Sequence, residues 1–171
     1  MIIIREERQE DREAVRAVNE NAFGQPDEAY IVDRLQKSCP GLLSLVALEG
    51  DEIVGHILFS PAKIEGDMKT REGMGLAPMA VLAERQRRGT GTKLVKQGIE
   101  ILRSRDCPFI IVIGHAEYYP RFCFARASTH GIRSQWDGVP NEAFLIWILD
   151  KATMEGVSGV AMYLDEFDEV M

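Results

Sequence analysis

Cysteine is scarce in this chain of 171 residues: Cys39, Cys107 and Cys123 are the only three. None forms a close-spaced pair that could clasp zinc or close a redox disulfide, so reduced thiols in a cytoplasmic protein are the expectation. Histidine is as rare, and His56, His115 and His130 include no pair at metal-ligand spacing, so no metal is expected. There is no apolar run long enough to cross a bilayer, and no membrane association is expected. The opening Met1-Ile2-Ile3-Ile4-Arg5-Glu6 turns charged at once and lacks the order of a signal peptide. No internal repeat, low-complexity tract or Pro/Gly/Ser linker divides the chain, so residues 1–171 are expected to form one domain. With 46% hydrophobic and 27% charged residues, disorder is excluded as the default. An excess of positive charge is also missing. The net charge of −7 argues against a nucleic-acid binder, which needs Lys and Arg to displace counterions from phosphates.

What is present is more specific. Arg85, Arg87, Arg88 and Lys93 make a small basic spot in an acidic chain, suited to a small polyanion rather than a duplex. The surrounding negative field favours a cationic co-substrate such as an amine, as a general bias only. Residues 2–5 read as a short strand. Asp11 then caps a helix whose Ala14, Val15, Val18 and Ala22 share a face, ended by Phe23-Gly24-Gln25-Pro26. Asp27 caps a second helix with Ile31, Val32 and Leu35. Strands come next at about 44–48 and 53–60, joined through Glu49-Gly50-Asp51-Glu52 as a hairpin. A fourth strand, about 73–82, contains Pro78, which implies a bulge, an edge or a place where pairing is given up.

The pattern then becomes strand, glycine turn, helix, strand. Leu94, Val95, Ile99 and Leu102 form the apolar stripe of a helix over about 91–105, with Lys93, Lys96, Glu100 and Arg103 on its wet face. Pro108 to Ile113 is a continuous β-branched run, the mark of a strand covered on both faces. That order predicts a βαβ unit with a parallel pair. Further strands are expected near 143–149 and, more weakly, 157–163, and Asp165 to Glu169 reads as a solvated acidic tail.

A turn between a buried strand and a helix N-terminus is a natural anion site, because free N–H groups point outward and the dipole favours negative charge. Gly89 and Gly91 remove the Cβ atoms that would keep a phosphate off the main chain. Thr90 and Thr92 add hydroxyls, and Arg87 and Arg88 add charge. A dinucleotide fingerprint would need a third glycine where the chain has Leu94, and a Walker loop would need Gly-Lys-Ser/Thr, which is absent. A connection holding no ligand is the bland alternative.

The stretch Met79 to Thr92, with Gln86-Arg87-Arg88-Gly89-Thr90-Gly91 at its centre, resembles the core motif of the GNAT superfamily of N-acetyltransferases. Gly114-His115-Ala116-Glu117-Tyr118-Tyr119-Pro120-Arg121-Phe122-Cys123-Phe124 is similar to the closing motif of its YhbS-like bacterial branch. The resemblance implies an α/β fold with a mixed central sheet, splayed between its fourth and fifth strands and flanked by helices. It implies acetyl-CoA as co-substrate, with the backbone of Met79, Ala80 and Val81 along the pantetheine arm. Amides of Arg87, Arg88, Gly89, Thr90, Gly91 and Thr92 would cradle the pyrophosphate. Tyr119 falls at the position of the tyrosine that protonates the departing thiolate, with Tyr118 as the alternative. Direct transfer to an amine, of a small molecule or of a protein, is the implied reaction, and a homodimer fits family habit. Glu28 is a candidate base, against the plainer reading that it sits in the first turn of a helix whose dipole favours it. Cys123 replaces a glycine common in the family, and the asparagine that often precedes the tyrosine is missing. A non-catalytic acyl-CoA sensor on the same fold is the competing reading.

Overall fold

The computed structural model describes residues 1–170. They divide into two compact units, Met1–Phe59 with Ala77–Ile101 and Glu166–Val170, and Ser60–Leu76 with Leu102–Asp165. In the first unit, β1 (Ile2–Glu6) pairs antiparallel with β2 (Leu43–Glu49), and β2 with the first half of β3 (Glu52–Glu65). Gly50 turns the hairpin with φ +65°, a conformation that costs glycine nothing. Leu45, Val46, Ala47, Val54, Ile57, Leu58 and Phe59 are wholly buried, so this hairpin is covered on both faces. Between β1 and β2 run α1 (Arg12–Phe23) and α2 (Asp27–Ser38), which bury Val15, Val18, Ala29, Ile31, Val32 and Leu35. Gly24, at φ 68°, ends α1 as the break at Phe23-Gly24 predicts.

Asp11 stands at the N-cap position of α1, as expected, whereas Asp27 does not cap α2. Asp11 makes no cap bond to α1; its carboxylate accepts from the Arg8 N–H at 2.7 Å and from the Arg5 guanidinium at 2.6 and 3.0 Å. The bidentate pair with Arg5 holds its carboxyl below the usual range and ties the end of β1 to the helix start. Asp27 lies inside α2, with Pro26 in the cap position. The acidic C-terminus is not a loose solvated tail either. It forms a 3-10 turn, Asp165–Glu169, with Phe167 buried and Glu169 ion-paired to Arg34 of α2.

α3 (Thr90–Ser104) buries Leu94, Val95, Ile99 and Leu102, the stripe read from the sequence. Between those residues Gly98 lets the buried Phe59 ring reach the helix backbone; a methyl there would overlap Cε2 and Cζ of the ring.

The second unit contains the remaining strands: β4 (Thr70–Val81) in its first half, β5 (Phe109–Ile113), β6 (Ala125–Arg126), β7 (Ile132–Ser134), β8 (Phe144–Ile148) and β9 (Gly159–Met162). α4 (Lys151–Met154) is a single turn, capped by Asp150, whose carboxylate accepts from the Thr153 N–H at 3.1 Å. β5 lies parallel to β4 and antiparallel to β8, and Phe109 to Val112 are buried throughout. The sheet order is β1-β2-β3-β4-β5-β8-β6, with β9 against β3 and β7. The parallel β4–β5 pair of the expected βαβ unit is present. The short β6 and β7 were not visible in the sequence.

A chain of polar groups runs through the first unit from the buried Asn19 and His56 to the half-buried Ser44, Glu7 and Gln36. Asn19 Nδ2 donates to the Val15 carbonyl at 3.0 Å and to His56 Nδ1 at 3.1 Å, which fixes Nδ1 as an acceptor. His56 Nε2–H therefore donates to Ser44 Oγ at 2.8 Å, and Ser44 donates to Glu7. Gln36 donates to both Glu7 oxygens at 2.6 and 2.7 Å. Glu7 Oε2 lies 3.7 Å from His56 Nε2, yet the pair is not an ion pair, because the ring accepts at Nδ1 and is neutral. Burial alone lowers the His56 pKa to about 3, and burial raises that of Glu7 against its hydrogen bonds to Ser44 and Gln36.

Both the packing at Gly98 and the buried His56 can be tested by stability measurements. Gly98→Ala gains about 1 kcal/mol of helix propensity but overpacks a wholly buried ring, typically about 1–3 kcal/mol. A net loss of stability in urea denaturation is expected, whereas a stabilised variant would show that Phe59 moves freely. For His56, the unfolded ring binds a proton near pH 6.5 and the folded ring only near pH 3. Its contribution is thus present above 6.5 and is lost as pH falls through that window, by a few kcal/mol at about 1.4 per unit. Glu7 acts with the opposite sign, losing its contribution as pH rises above 4.5. His56→Gln should flatten or reverse the fall in Tm between pH 6.5 and 4; an unchanged slope would place the acid sensitivity elsewhere.

Candidate active site

β4 pairs with β5 over only three positions, Met74 with Ile110, Gly75 with Ile111 and Leu76 with Val112. The pairing stops two residues before Pro78, as its missing N–H leads one to expect. Met79, Ala80 and Val81 come next with no register partner in β5; Ala80 is buried and its neighbours are partly exposed. Leu82 N–H then donates to the Val54 carbonyl at 2.9 Å, and a 3-10 turn over Ala83–Arg85 leads out of the strand. Two side chains fix that turn. Asn21 of α1 accepts from the Ala83 N–H at 2.9 Å, and Gln86 Nε2 donates back to the Val81 carbonyl at 3.0 Å.

Arg87, Arg88 and Gly89 are all exposed. Arg87 holds φ at 64° and Gly89 at 84°, and nothing lies within 4 Å of the place a Gly89 Cβ would take. For arginine that conformation costs about 1–2 kcal/mol. Lys93 N–H donates to the Gly89 carbonyl at 3.0 Å, which closes the first turn of α3. Thr90 is buried with its methyl against Gly55 of β3, which pins the helix start, and Gly91 and Thr92 are partly exposed.

The basic spot is smaller than its sequence. Arg85 is bound to Glu49 and, at 3.2 Å, to Glu52 of the hairpin, so its charge is already used. Arg87, Arg88 and Lys93 have no acidic partner among the described residues. A helix N-terminus, an uncluttered glycine and three cations without acidic partners are features a pyrophosphate site uses, and these residues fit one.

The aromatic segment belongs to the second unit. Gly114 N–H donates to the Ala143 carbonyl at 2.9 Å, and Tyr118 and Tyr119 N–H both reach the His115 carbonyl, at 3.1 and 3.3 Å. The Tyr119 ring lies on Gly114, where a side chain would overlap it. Tyr118 meets it edge-on at 5.1 Å and Phe124 at 5.7 Å, and Tyr119 is only 6% exposed. Burial, then Tyr118, raises its pKa, so the phenol stays protonated at neutral pH. Tyr118 instead lines an open cleft of about 550 Å³ with His115, Ala116, Glu117 and Arg121. Its ring is covered by the Arg121 guanidinium at 4.5 Å, and Arg121 Nε donates to its carbonyl at 2.9 Å. Cys123 keeps the turn that glycine would make, at φ 74°. Glu28 accepts from Gln25 Nε2 at 3.0 and 3.2 Å within the first turn of α2.

Sequence reasoning missed two contributors: Asn21 and the return of Gln86 to Val81. Gln86 alone had a signal, as part of the loop motif.

No described helix is long and apolar enough to cross a membrane. Residues 4–118 match the model of the Acetyltransferase (GNAT) family. YjhQ, an uncharacterized N-acetyltransferase of Escherichia coli strain K12, is 37% identical over 148 residues, 85% of this chain and 81% of its own. YhbS of the same strain, likewise an uncharacterized N-acetyltransferase, is 28% identical over 98% of this chain and 99% of its own. The crystal structure of E. coli YhbS in complex with CoA superposes with a TM-score of 0.91, covering 98% of this chain and 92% of that one at 28% identity. A GNAT family acetyltransferase from Brucella melitensis in complex with acetyl-CoA gives 0.80, over 98% and 99% of the two chains at 31% identity. With the family model covering well over half its length, this chain belongs to the GNAT family of acetyltransferases.

Proposed function

We propose that the protein transfers an acetyl group from acetyl-CoA to a primary amine, of a small molecule or a protein, directly and within a ternary complex. The observation that carries the reading is the exposed turn Arg87–Gly89 at the start of α3, whose arginines have no acidic partner among the described residues. Its support is family membership and the CoA and acetyl-CoA found in the two similar structures. Acetyl-CoA supplies the acetyl group already activated as a thioester.

The rest falls to this chain's residues. Backbone N–H groups of Gly89, Thr90, Gly91 and Thr92, with the Arg87 and Arg88 side chains, hold the pyrophosphate. Backbone groups of Met79, Ala80 and Val81, freed from β5, align the pantetheine arm as a strand partner would. One N–H of that segment stabilises the developing oxyanion, a contribution whose loss costs about 10²–10³ in rate. Tyr119 Oη holds the proton that the sulfur takes up as the C–S bond breaks, and the proton that the neutral amine loses on forming the N–C bond restores the phenol. Tyr119 is preferred over Tyr118 because its ring is fixed on Gly114 and by three aromatic neighbours, whereas Tyr118 is occupied by Arg121. Glu28, already bonded to Gln25 in the first turn of a helix, is best read as part of that turn. The chain is taken to work as one functional domain in the cytoplasm, as a monomer or homodimer.

Two experiments test this. In calorimetric titration, wild-type protein should bind acetyl-CoA in the micromolar range. Arg88→Ala with Gly89→Asp should weaken it by about 100-fold, since bonds to charged groups are worth about 1.5–3 kcal/mol each. Equal binding by the double variant would remove the loop from the cofactor site. Tyr119→Phe should lower kcat about 10²–10⁴-fold with acetyl-CoA affinity retained. Because its phenol titrates well above the usual range, the wild-type pH–rate profile should show no alkaline fall up to pH 10 that the variant lacks. Undiminished kcat would exclude Tyr119, and no turnover by wild type on any amine of a broad panel would favour a sensor.

A further inference from the structure

Tyr163 lies just after β9 and is 5% exposed. Three contacts within the second unit fix it. Its N–H donates to Gln135 Oε1 at 2.6 Å, its ring stacks on Trp136 at 5.6 Å and 27°, and the same ring lies on Gly75, where a Cβ would overlap Cε1. So held, its hydroxyl sits 3.1 Å from the Leu76 carbonyl and 3.3 Å from the Ile111 carbonyl.

Those two carbonyls belong to different strands. Leu76 closes the β4 side of the parallel pairing, whose last rung is Leu76 with Val112, and Ile111 is the β5 residue just before it. Parallel pairing is slightly weaker per residue than antiparallel, and here it has only three rungs to rely on. A phenylalanine would fill the same space over Gly75 without a polar atom. A buried hydroxyl costs free energy unless it is paired, and this one is aimed at both strands at their last rung.

We infer that Tyr163 is a positioning residue for acetyl transfer: its hydroxyl straps β4 to β5 at their last rung and so fixes where β4 leaves its partner. The backbone of Met79 to Val81 then begins from a set point. The inference rests on the reading that this stretch aligns acetyl-CoA. It gives the C-terminal strand, remote in sequence from both motifs, a part in the reaction.

The test is Tyr163→Phe, with Trp136→Phe as a control that leaves the hydroxyl in place. Acetyl-CoA is the probe in calorimetry, and amide hydrogen exchange is measured in peptides spanning 74–81. Tyr163→Phe should bind acetyl-CoA about five- to tenfold more weakly, the worth of one neutral hydrogen bond, and exchange faster at 74–81 than elsewhere. Trp136→Phe should lower Tm while leaving affinity within about twofold, a change too small to count as a lost hydrogen bond. If Tyr163→Phe proves too unstable to assay, Gln135→Ala, which frees the Tyr163 backbone, should show the same local exchange and weaker binding to a smaller degree. Unchanged affinity, with exchange raised evenly or not at all, would reduce Tyr163 to a packing residue and overturn the inference. Failure of wild-type protein to bind acetyl-CoA would overturn the cofactor reading as well, so the two failures are distinct.

Discussion

β4 needs a partner on its β5 side for the sheet to hold, and it must lose that partner for its backbone to be available. The structure meets both needs by limiting the parallel register to Met74, Gly75 and Leu76. The next stretch of chain depends on that stop: Met79 to Val81, which have no register partner in β5, the turn over Ala83–Arg85, the loop at Arg87 to Gly89 and the start of α3. A longer register would have spent the same N–H and carbonyl groups on a strand ladder. An earlier stop would have left too few rungs to fix the direction in which β4 leaves.

Around this break, charge and strain are distributed unevenly. Arg85 is neutralised by Glu49 and Glu52, while Arg87, Arg88 and Lys93 are left without acidic partners among the described residues. An acidic chain with a net charge of −7 thus keeps a small cationic spot at a helix N-terminus, where a phosphate gains most from the dipole. Arg87 and Cys123 both adopt left-handed backbone that glycine would take more easily. One lies in the loop proposed to hold the pyrophosphate and the other closes the turn that carries Tyr119.

The sequence made the local patterns legible. The stripe of α3, the buried run of β5, the Gly24 stop and the hairpin at Gly50 all arise from spacing or backbone preference, and each recurs in the structure within a residue or two. What it could not convey were partners chosen across the chain. Asp11 looked like a helix cap because capping is a local rule, yet Arg5 and the Arg8 amide claim its carboxylate. The acidic C-terminus looked solvated because its charges are visible, whereas its docking depends on one buried phenylalanine and on Arg34. Arg85 counted toward a basic spot until the hairpin supplied its acids. Tyr163 carried no signal at all, since its role exists only where β9 brings it to Leu76 and Ile111. At the candidate site the loop was readable as a motif, and Tyr119 through its likeness to a family position. The preference for Tyr119 over Tyr118 needed the packing on Gly114.

The central claim is that the backbone of this loop and of the freed end of β4 receives acetyl-CoA. Backbone amide NMR during titration with acetyl-CoA addresses it residue by residue. The account predicts the largest saturable shifts at Gly89, Thr90, Gly91 and Thr92, with a second group at Met79 to Val81. Saturable binding that leaves both groups unmoved and shifts amides elsewhere would contradict it.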